Sequence, residues 1–252
     1  MKLKGKIAIV TGAGSGMGEA IAKLFAAEGA KVVVSDLNKE SLERVLADIQ
    51  SKGSEALGIS ANVAKQADID NLVETSLKKF GSIDILINNA GIMDNFKTVA
   101  ESSDEHWNHV MDVNLNGAFK AARAVIPVME LQKEGGVIVN IASIGGLFGA
   151  RGGAAYVTSK HGLIGLTKNI ASTYGTFGKI RANAIAPGAV ETNIAATITE
   201  PSKLGGQAIA SLGEAPFGKA EDIAKVALFL ASEDSRFVNG HVLTADGGWT
   251  SK

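Results

Sequence analysis

The stretch KIAIVTGAGSGMG, residues 6–18, joins a β-branched apolar run to a loop with a glycine at every second position. The residues that follow, EAIAKLFAAEG, have the apolar spacing of a helix. A strand, glycine loop and helix in this order direct backbone amides and a helix N-terminus at the carboxyl edge of a parallel sheet, where they favour a phosphate. The loop lacks the lysine of a P-loop, and its glycines do not fit G-x-G-x-x-G. Their spacing is G-x-x-x-G-x-G.

The alternation of short apolar runs with longer amphipathic stretches continues along the chain and is typical of a parallel sheet covered by helices on both faces. The predicted strands are residues 6–11, 31–36, 55–60, 83–88, 136–142, 180–186 and 241–245. The predicted helices are residues 16–28, 39–52, 66–80, 103–132, 154–174 and 220–232. We therefore expect one doubly wound α/β domain over residues 1–252.

The composition, with 46% hydrophobic residues, 20% charged residues and a net charge of -1, gives no sign of a nucleic-acid or membrane partner. No apolar segment reaches the length of a membrane span. The absence of cysteine excludes disulfides, thiolate catalysis and cysteine-ligated metals. The first residues contain too short an apolar run for a signal peptide, so we expect a cytoplasmic protein.

Residues 191–217 break the alternation, since Pro201, Gly205, Gly206 and Pro216 surround a weak helical pattern. Ligands of open parallel sheets bind beyond the carboxyl ends of the strands, and this segment follows such a strand. We expect a substrate lid here. A surface loop without function is the alternative, although long loops in compact domains are uncommon.

Asp36 ends the second predicted strand, about 20 residues after the glycine loop, where a carboxylate accepts hydrogen bonds from an adenosine ribose. The same charge repels a ribose phosphate. Leu37, not a basic residue, follows it, and no lysine or arginine occurs between Ala13 and Met17. The pattern predicts that NAD(H) is preferred over NADP(H); the alternative is that Lys39 reaches around to a ribose phosphate. For the loop alone, a glycine-rich turn without a ligand is the alternative.

Tyr156 and Lys160 stand four residues apart in a helical pattern, so their side chains share one face. A nearby ammonium favours the phenolate, and we expect it to lower the phenol pKa from about 10 toward neutrality. Ser143 follows a buried strand, and Asn114 stands within an apolar helix. Polar groups in such places need hydrogen-bond partners. Each residue taken alone is more typical of a structural role.

Together these motifs resemble the short-chain dehydrogenase/reductase family over nearly the whole chain. TGAGSGMG matches the family's T-G-x-x-x-G-x-G cofactor loop, and NNAG at residues 88–91 matches its core motif. Its catalytic tetrad is matched by Asn114, Ser143, Tyr156 and Lys160. The APG run at residues 186–188, Thr192, and ADGGW at residues 245–249 match further family positions.

The resemblance implies a Rossmann-type seven-stranded sheet of order 3-2-1-4-5-6-7 and a homotetramer or homodimer. It implies that Tyr156 is the general acid/base and that Ser143 hydrogen-bonds the substrate oxygen. Lys160 would bind the nicotinamide ribose and lower the tyrosine pKa, while Asn114 would support a water relay for protons. Val190 and Thr192 would contact the nicotinamide carboxamide.

The other cofactor contacts expected from the loop, the strand ends and the family motifs are Gly12, Gly14, Ser15, Gly16, Met17, Gly18, Asp36, Leu37, Asn62, Val63, Asn89, Ala90, Gly91, Tyr156, Lys160, Pro187 and Gly188. Asn62 and Val63 stand where the family commonly has Asp-Val, whose carboxylate contacts adenine. An amide can donate or accept, so we expect adenine binding to survive. The expected substrate pocket adds mostly apolar residues to Ser143 and Tyr156: Met93, Ile144, Leu147, Phe148, Ala189, Ile194 and Ile198. Their character favours a small or moderately hydrophobic, uncharged substrate.

The predicted function is NAD-dependent hydride transfer between the cofactor and a secondary alcohol or ketone. One alternative is a 3-oxoacyl-[acyl-carrier-protein] reductase, which would want a basic docking surface and commonly uses NADPH. Another is an NAD(H)-binding sensor or scaffold without turnover. His106 and His109 lie near Asp104 and Asp112, but such spacing arises by chance on helix faces, and we expect no metal site.

Overall fold

The computed structural model describes residues 1–251. In chain order its first half contains β1 (Ile7–Thr11), α1 (Gly16–Ala27), β2 (Lys31–Asp36), α2 (Lys39–Ser51), β3 (Ala56–Ser60), α3 (Gln66–Phe80), β4 (Ile85–Asn88), α4 (Asp104–Met111) and α5 (Gly117–Leu131). Its second half contains β5 (Gly136–Ile141), α6 (Ala154–Thr176), β6 (Ile180–Pro187), β7 (Ala189–Glu191), α7 (Lys203–Ala210), β8 (Phe217–Lys219), α8 (Ala220–Ala231) and β9 (Val242–Ala245).

Seven of the strands form one parallel sheet in the order β3-β2-β1-β4-β5-β6-β9. Successive strand residues face opposite sides. Val10 and Val34 pack with α1, α2 and α8, whereas Ile9 and Val33 pack with α3, α5 and α6. The predicted doubly wound Rossmann-type sheet and its strand order are confirmed.

The strand order reverses at β1, which pairs with β2 on one side and β4 on the other. Chain connections therefore leave β1 and β4 toward opposite faces of the sheet, and a crevice opens beyond their carboxyl ends. The loops after β1, β4, β5 and β6 meet at this edge. It is the place where the fold accommodates a ligand.

The helix predicted over residues 103–132 is divided. A π-helical turn at Asp112–Asn116 separates α4 from α5. Such a turn inserts one residue into the helical ladder and is frequent at functional sites. The backbone stays helical from α4 through this turn into α5, and apolar spacing that predicts a helix does not distinguish a single π-helical turn inside it. Asn114 lies within this turn.

The segment at residues 191–217 has more structure than its sequence predicts. It contains a 3₁₀ turn at Asn193–Thr197 and helix α7. Strands β7 and β8 pair in parallel, with Ala189 opposite Phe217 and Glu191 opposite Lys219. Strands of three residues are too short to produce a recognisable alternation in the sequence. The ladder holds the two ends of the segment together.

Candidate active site

The glycine loop makes a tight turn from β1 into α1. Gly12 and Gly16 have φ values of 62° and 55°, in the left-handed region that favours glycine. Ser15 precedes the first residue of α1 in an extended conformation. A Cβ on Gly12 would lie 2.8 Å from Ala90 Cα, and one on Gly16 would lie 3.1 Å from Thr192 Cβ. The loop thus packs closely against the segments after β4 and β6.

Gly18 lies at the start of α1 with its Cα against the loop. A Cβ there would fall inside van der Waals contact of the Gly12 carbonyl oxygen and 2.8 Å from the Gly12 carbonyl carbon. Because the obstacle is backbone, a side chain at this position would displace the helix from the loop. Gly18 therefore serves the packing of α1 under the loop.

We expect Gly18→Ala to lower the free energy of unfolding by about 1–3 kcal/mol, since the added methyl group overpacks the junction. It should also weaken NADH binding. The matched control is Gly165→Ala in α6, where an added Cβ meets nothing within 4 Å. Alanine is the better helix former, so this control should be neutral or stabilising. Chemical denaturation and NADH titration of both variants check the prediction; equal effects would contradict it.

A cavity of about 370 Å³ extends from the glycine loop along the carboxyl edge of the sheet. The expected cofactor residues that line it are Gly12, Ser15, Gly16, Met17, Asp36, Leu37, Asn62, Val63, Asn89, Ala90, Gly91 and Thr192. Ile194, expected in the substrate pocket, also lines it. Sequence reasoning missed the lining residues Ala61, Ala64, Ile92, His109, Val113, Asn193 and Thr197.

Other predicted cofactor residues lie outside the cavity lining. Gly14 donates its backbone N–H to Asp36 Oδ2, and Gly18 packs against the backbone of Gly12. Gly188 donates its N–H to the Ala245 carbonyl at 3.0 Å, and Pro187 pairs with the same residue at the end of β6. Val190 packs on the hydrophobic core that contains α1 and α8.

Asp36 is fixed at the end of β2 by two backbone donors. Its Oδ2 accepts from Gly14 N–H at 2.8 Å, and its Oδ1 accepts from Asn38 N–H at 2.9 Å. Leu37 beside it is 68% exposed. These contacts hold the carboxylate at the cavity wall.

Arg44, the cation that contacts the glycine loop, is paired with Glu19 and not with Asp36. Arg44 binds Glu19 with Nη2 at 2.6 Å from Oε2, and it donates to the Gly14 carbonyl at 2.9 Å. It therefore braces the loop instead of neutralising Asp36. The sequence does not indicate this role, since Arg44 and Glu19 belong to different helices.

Asn62 takes part in the turn after β3. Its Oδ1 accepts from Ala64 N–H at 2.9 Å, and its backbone N–H donates to Asp68 Oδ2 at 2.9 Å. Oδ1 already accepts one hydrogen bond, so the Nδ2 amide is the end of the side chain with more capacity left for a ligand. Nδ2 is a donor only.

The two asparagines after β4 have different roles. Asn88 is buried and donates to Asn140 Oδ1 at 2.8 Å, within the sheet. Asn89 donates through Nδ2 to the carbonyls of Thr11 and Gly12, both at 3.0 Å. Asn89 thus holds the glycine loop from the side of β4. Ala90 and Gly91 continue along the cavity wall.

Ser143 and Tyr156 are brought together by the loop after β5. Ser143 begins a 3₁₀ turn at Ile144–Gly146, and its Oγ accepts from Gly145 N–H at 3.0 Å. A Cβ on Gly145 would lie 3.2 Å from Tyr156 Cε1 and 3.3 Å from Ser143 Oγ, so the two side chains flank this glycine. Tyr156 is only 6% exposed.

Lys160 lies one helical turn after Tyr156, and only 3% of it is exposed. Its Nζ donates to the Ile141 carbonyl at 2.9 Å and lies 5.6 Å from the centroid of the Tyr156 ring. A Cβ on Gly91 would lie 3.4 Å from Lys160 Nζ and 3.3 Å from Asn114 Oδ1. The predicted tetrad therefore converges where β4 and β5 end, beside a residue that lines the cavity.

Burial dominates the pKa values of the acid/base pair. It raises the pKa of the Tyr156 phenol; the Ser143 hydroxyl lowers this pKa in part, and the charge of Asp94 raises it further. Burial lowers the pKa of Lys160 to about 8. The prediction that a neighbouring ammonium lowers the phenol pKa is wrong for the chain's own groups, because desolvation outweighs every other influence on Tyr156.

The Asn114 side chain makes three hydrogen bonds within the protein. Its Oδ1 accepts from Ile92 N–H at 2.8 Å, and its Nδ2 donates to the Ile92 carbonyl at 2.9 Å and to Ser159 Oγ at 3.2 Å. These bonds join the π-helical turn to the loop after β4 and to α6. The expectation that this buried amide finds partners is confirmed.

The residues expected to bind substrate are spread over different environments. Ile144 is 2% exposed and packs in the interior, whereas Phe148 is partly exposed at the loop after β5. Thr192, expected to bind the cofactor, has a buried Oγ1 without a hydrogen-bond partner among residues 1–251. Ile194 follows it along the cavity.

The two histidines of α4 have different surroundings. His106 Nε2 contacts the Asp94 carbonyl at 2.9 Å, and His109 lies at the cavity. In the described part of the chain, no group of three or more histidine, aspartate or glutamate side chains is arranged to hold a metal ion. Nor does any helix within residues 1–251 have the length and apolar character needed to cross a membrane.

Comparison with known proteins extends these observations. A family model described as enoyl-(acyl carrier protein) reductase matches residues 12–250. The chain is 40% identical to 3beta-hydroxysteroid dehydrogenase 2 of Eggerthella lenta, over 99% of this chain and 96% of that protein. It is 40% identical to cyclohexanol dehydrogenase of Acinetobacter sp., over 100% and 97%. The crystal structure of levodione reductase is similar with a TM-score of 0.89 and 34% identity, over 99% of each chain.

A doubly wound sheet with a glycine loop at its switch point defines a dinucleotide-binding protein. The full-length matches define it further. The chain belongs to the short-chain dehydrogenase/reductase family, an oxidoreductase family that uses a nicotinamide cofactor. The resemblance derived from the sequence motifs is confirmed.

Proposed function

We propose that this chain is an NAD-dependent oxidoreductase that interconverts secondary alcohols and ketones. The convergence of Ser143, Tyr156 and Lys160 beside the cavity that begins at Asp36 carries the proposal. A protein that only binds a dinucleotide has no need of the buried Tyr156 phenol and Ser143 hydroxyl beside this cavity. The cyclohexanol dehydrogenase and hydroxysteroid dehydrogenase among its relatives support an alcohol substrate.

The residues present fit a nicotinamide dinucleotide. The loop glycines leave no side chain between the backbone amides and the cavity, Asp36 offers its carboxylate to a ribose, and Thr192 Oγ1 is a buried polar atom without a partner in residues 1–251. We propose that Thr192 binds the carboxamide and that Lys160 binds the nicotinamide ribose. When bound, the cofactor supplies or accepts the hydride.

The protein's own groups act at the substrate oxygen. Tyr156 gives a proton to this oxygen during carbonyl reduction and takes it back during alcohol oxidation, and Ser143 stabilises the same oxygen by donating a hydrogen bond. The side-chain amide of Asn114 is engaged in hydrogen bonds within the protein. We therefore propose that Asn114 holds the π-helical turn in its conformation and that any proton relay uses other atoms.

Asp36 supports the preference for NAD(H). Its two oxygens already accept backbone N–H groups, and Arg44 is held by Glu19, so the negative charge at the ribose position is retained. A 2′-phosphate at the ribose would be repelled by the Asp36 carboxylate, and Leu37 beside it provides no positive charge to offset that repulsion.

We also propose that residues 1–252 form one catalytic domain and that residues 191–217 are its substrate lid. Thr192, Ile194 and Thr197 of this segment line the cavity. The loop after β4 holds the segment in place: Met93 N–H donates to Thr197 Oγ1 at 3.0 Å, and Asn95 Oδ1 accepts from Thr199 N–H at 2.8 Å. The Asn95 carbonyl accepts from Ser202 N–H at 2.8 Å.

Asn95→Ala is expected to loosen the lid, because it removes the acceptor for Thr199 N–H and places alanine at a φ of 56°. We expect the KM for the carbonyl substrate to rise roughly 3- to 10-fold, which corresponds to the net free energy of one hydrogen bond. Asn95→Gly is the control, since it tolerates the φ and loses only the acceptor. Steady-state kinetics of the two variants separate strain from hydrogen bonding; an unchanged KM in both would show that the lid does not depend on Asn95.

The function is tested with a kinetic panel. Secondary alcohols, diols, sugars, hydroxy acids and steroids are offered with NAD, the matching carbonyls with NADH, and each active pair is repeated with NADP(H). We expect turnover of an uncharged alcohol or ketone and a higher kcat/KM with NAD(H). Exclusive reduction of acyl-carrier-protein thioesters with NADPH would instead support the 3-oxoacyl reductase. Tight NADH binding without turnover would support a sensor or scaffold.

The oligomeric state belongs to the same proposal, as a homotetramer or homodimer. Phe177 and Phe237 are almost fully exposed on the isolated chain. Large apolar side chains at the surface are typical of subunit interfaces when they are contiguous. Light scattering of the purified protein measures the mass directly.

A further inference from the structure

The start of α6 contacts a buried carboxylate that is not one of the proposed catalytic residues. Asp94, in the loop after β4, is 0% exposed. Its Oδ1 accepts from Gly153 N–H at 2.9 Å and Phe96 N–H at 3.1 Å, and its Oδ2 accepts from Tyr156 N–H at 2.8 Å. All these partners are backbone donors. A buried charge requires such compensation, and the positive N-terminal end of a helix adds to it.

Helix α6 is unable to cap itself. Its N-cap residue is Gly153, which has no side chain to accept the first free N–H groups. A Cβ at Gly153 would lie 2.6 Å from Asp94 Oδ2 and would overlap the backbone of Lys97. A serine, threonine or aspartate at the N-cap is therefore excluded by space. The acceptor comes from the preceding loop instead.

The capped amide is that of the proposed acid/base. Tyr156 is held at its N–H by Asp94, and its carbonyl accepts from Ser159 Oγ at 2.7 Å. Ser159 in turn accepts from Asn114. The backbone that carries the phenol is thus fixed from two sides by groups outside the ordinary helical ladder.

We infer that Asp94 is the positioning residue of Tyr156: it supplies the N-terminal cap of α6 and so sets the phenol against the substrate oxygen. The inference rests on the proposed function, in which Tyr156 transfers the proton. Because Asp94 is buried and its carboxylate oxygens are engaged by backbone N–H groups, we assign it no contact with substrate or cofactor. Its neighbour Asn95 holds the lid, so consecutive residues place the lid and the acid/base relative to each other.

Asp94→Asn tests the inference, because it preserves the size of the side chain but directs an N–H₂ group at a backbone N–H. We expect kcat to fall about 10- to 100-fold, as for a small displacement of a reacting group. The KM and the Kd for NADH should stay unchanged. Amide hydrogen exchange at Tyr156 should become faster, while exchange at Leu163, further along α6, should not change.

Asp84→Asn is the matched control. Asp84 Oδ2 also accepts a backbone N–H, from Ile7 at 2.8 Å, but at the opposite edge of the sheet. This variant should lose stability and keep its kcat. Asp94→Ser, which keeps one acceptor, provides a milder variant if Asp94→Asn fails to fold, and its loss of kcat should be smaller but of the same kind.

An unchanged kcat, a parallel loss of NADH affinity, or faster exchange along the whole of α6 would overturn the inference. The exchange measurement needs no substrate. If the unaltered protein turns over no alcohol or carbonyl, the proposed function fails, while exchange at Tyr156 and Leu163 still decides whether Asp94 caps the helix.

Discussion

Tyr156→Phe should bind NADH with unchanged affinity and lose turnover by roughly 100- to 10,000-fold, the range for removal of a general acid/base. The phenol ring packs beside Ser143 and Gly145, and phenylalanine fills the same space without the hydroxyl. Only the proton donor to the substrate oxygen is removed. NADH titration and single-turnover reduction of the best carbonyl substrate measure the two quantities separately.

Tyr174→Phe is the matched control for this experiment, since the chain contains 2 tyrosines. Tyr174 packs with the core near the end of α6 and takes no part in the proposed site. Its variant should retain full activity. Substantial turnover by Tyr156→Phe, or equal loss in both variants, would contradict the assignment of Tyr156 as acid/base.

Asp36→Ala should raise the KM for NAD about 10- to 100-fold, because a hydrogen bond to a charged group contributes roughly 1.5–3 kcal/mol. The KM for NADP should rise less or fall, because the change also removes the charge that opposes a 2′-phosphate. The ratio of kcat/KM for the two cofactors is therefore expected to shift toward NADP. Steady-state kinetics with each cofactor at a fixed carbonyl concentration measures it.

Leu37→Arg provides the complementary variant, because its exposed position would place a guanidinium beside the ribose without altering Asp36. Alone it should change NAD kinetics little, and combined with Asp36→Ala it should improve NADP further. An Asp36→Ala variant that keeps its original cofactor ratio would show that the carboxylate does not select the cofactor.

Much of the fold follows from local patterns. Strands β1 and β2 are apolar runs that end in a glycine turn and an aspartate, and their observed bounds differ from the predicted ones by at most one residue. The predicted tetrad depends on the resemblance of several motifs, taken together and in order, to the family's pattern, since each of its residues alone is more typical of a structural role. The π-helical turn that carries Asn114 is not predicted, because apolar spacing indicates helical backbone without distinguishing a single π turn from the α-helix around it.

The role of Asp94 depends on distances that no local pattern contains. Its partners Gly153 and Tyr156 are 59 and 62 positions away along the chain. Only the fold brings the loop after β4 to the start of α6. The direction of the Tyr156 pKa shift has the same origin, because burial is a property of the folded chain and the Tyr-Lys spacing alone suggests the opposite sign.

The short ladder between β7 and β8 separates the loop at residues 192–216 from the rest of the fold. Its pairing from Ala189–Glu191 to Phe217–Lys219 closes the loop at its base, so the residues between can vary in length at a small entropic cost. The sheet and the acid/base pair lie outside this loop, whereas Thr192, which packs against Gly16, lies within it. If residues 191–217 act as the proposed lid, the part of the loop beyond Thr192 is therefore free to change in length and sequence without displacing Ser143, Tyr156 or Lys160.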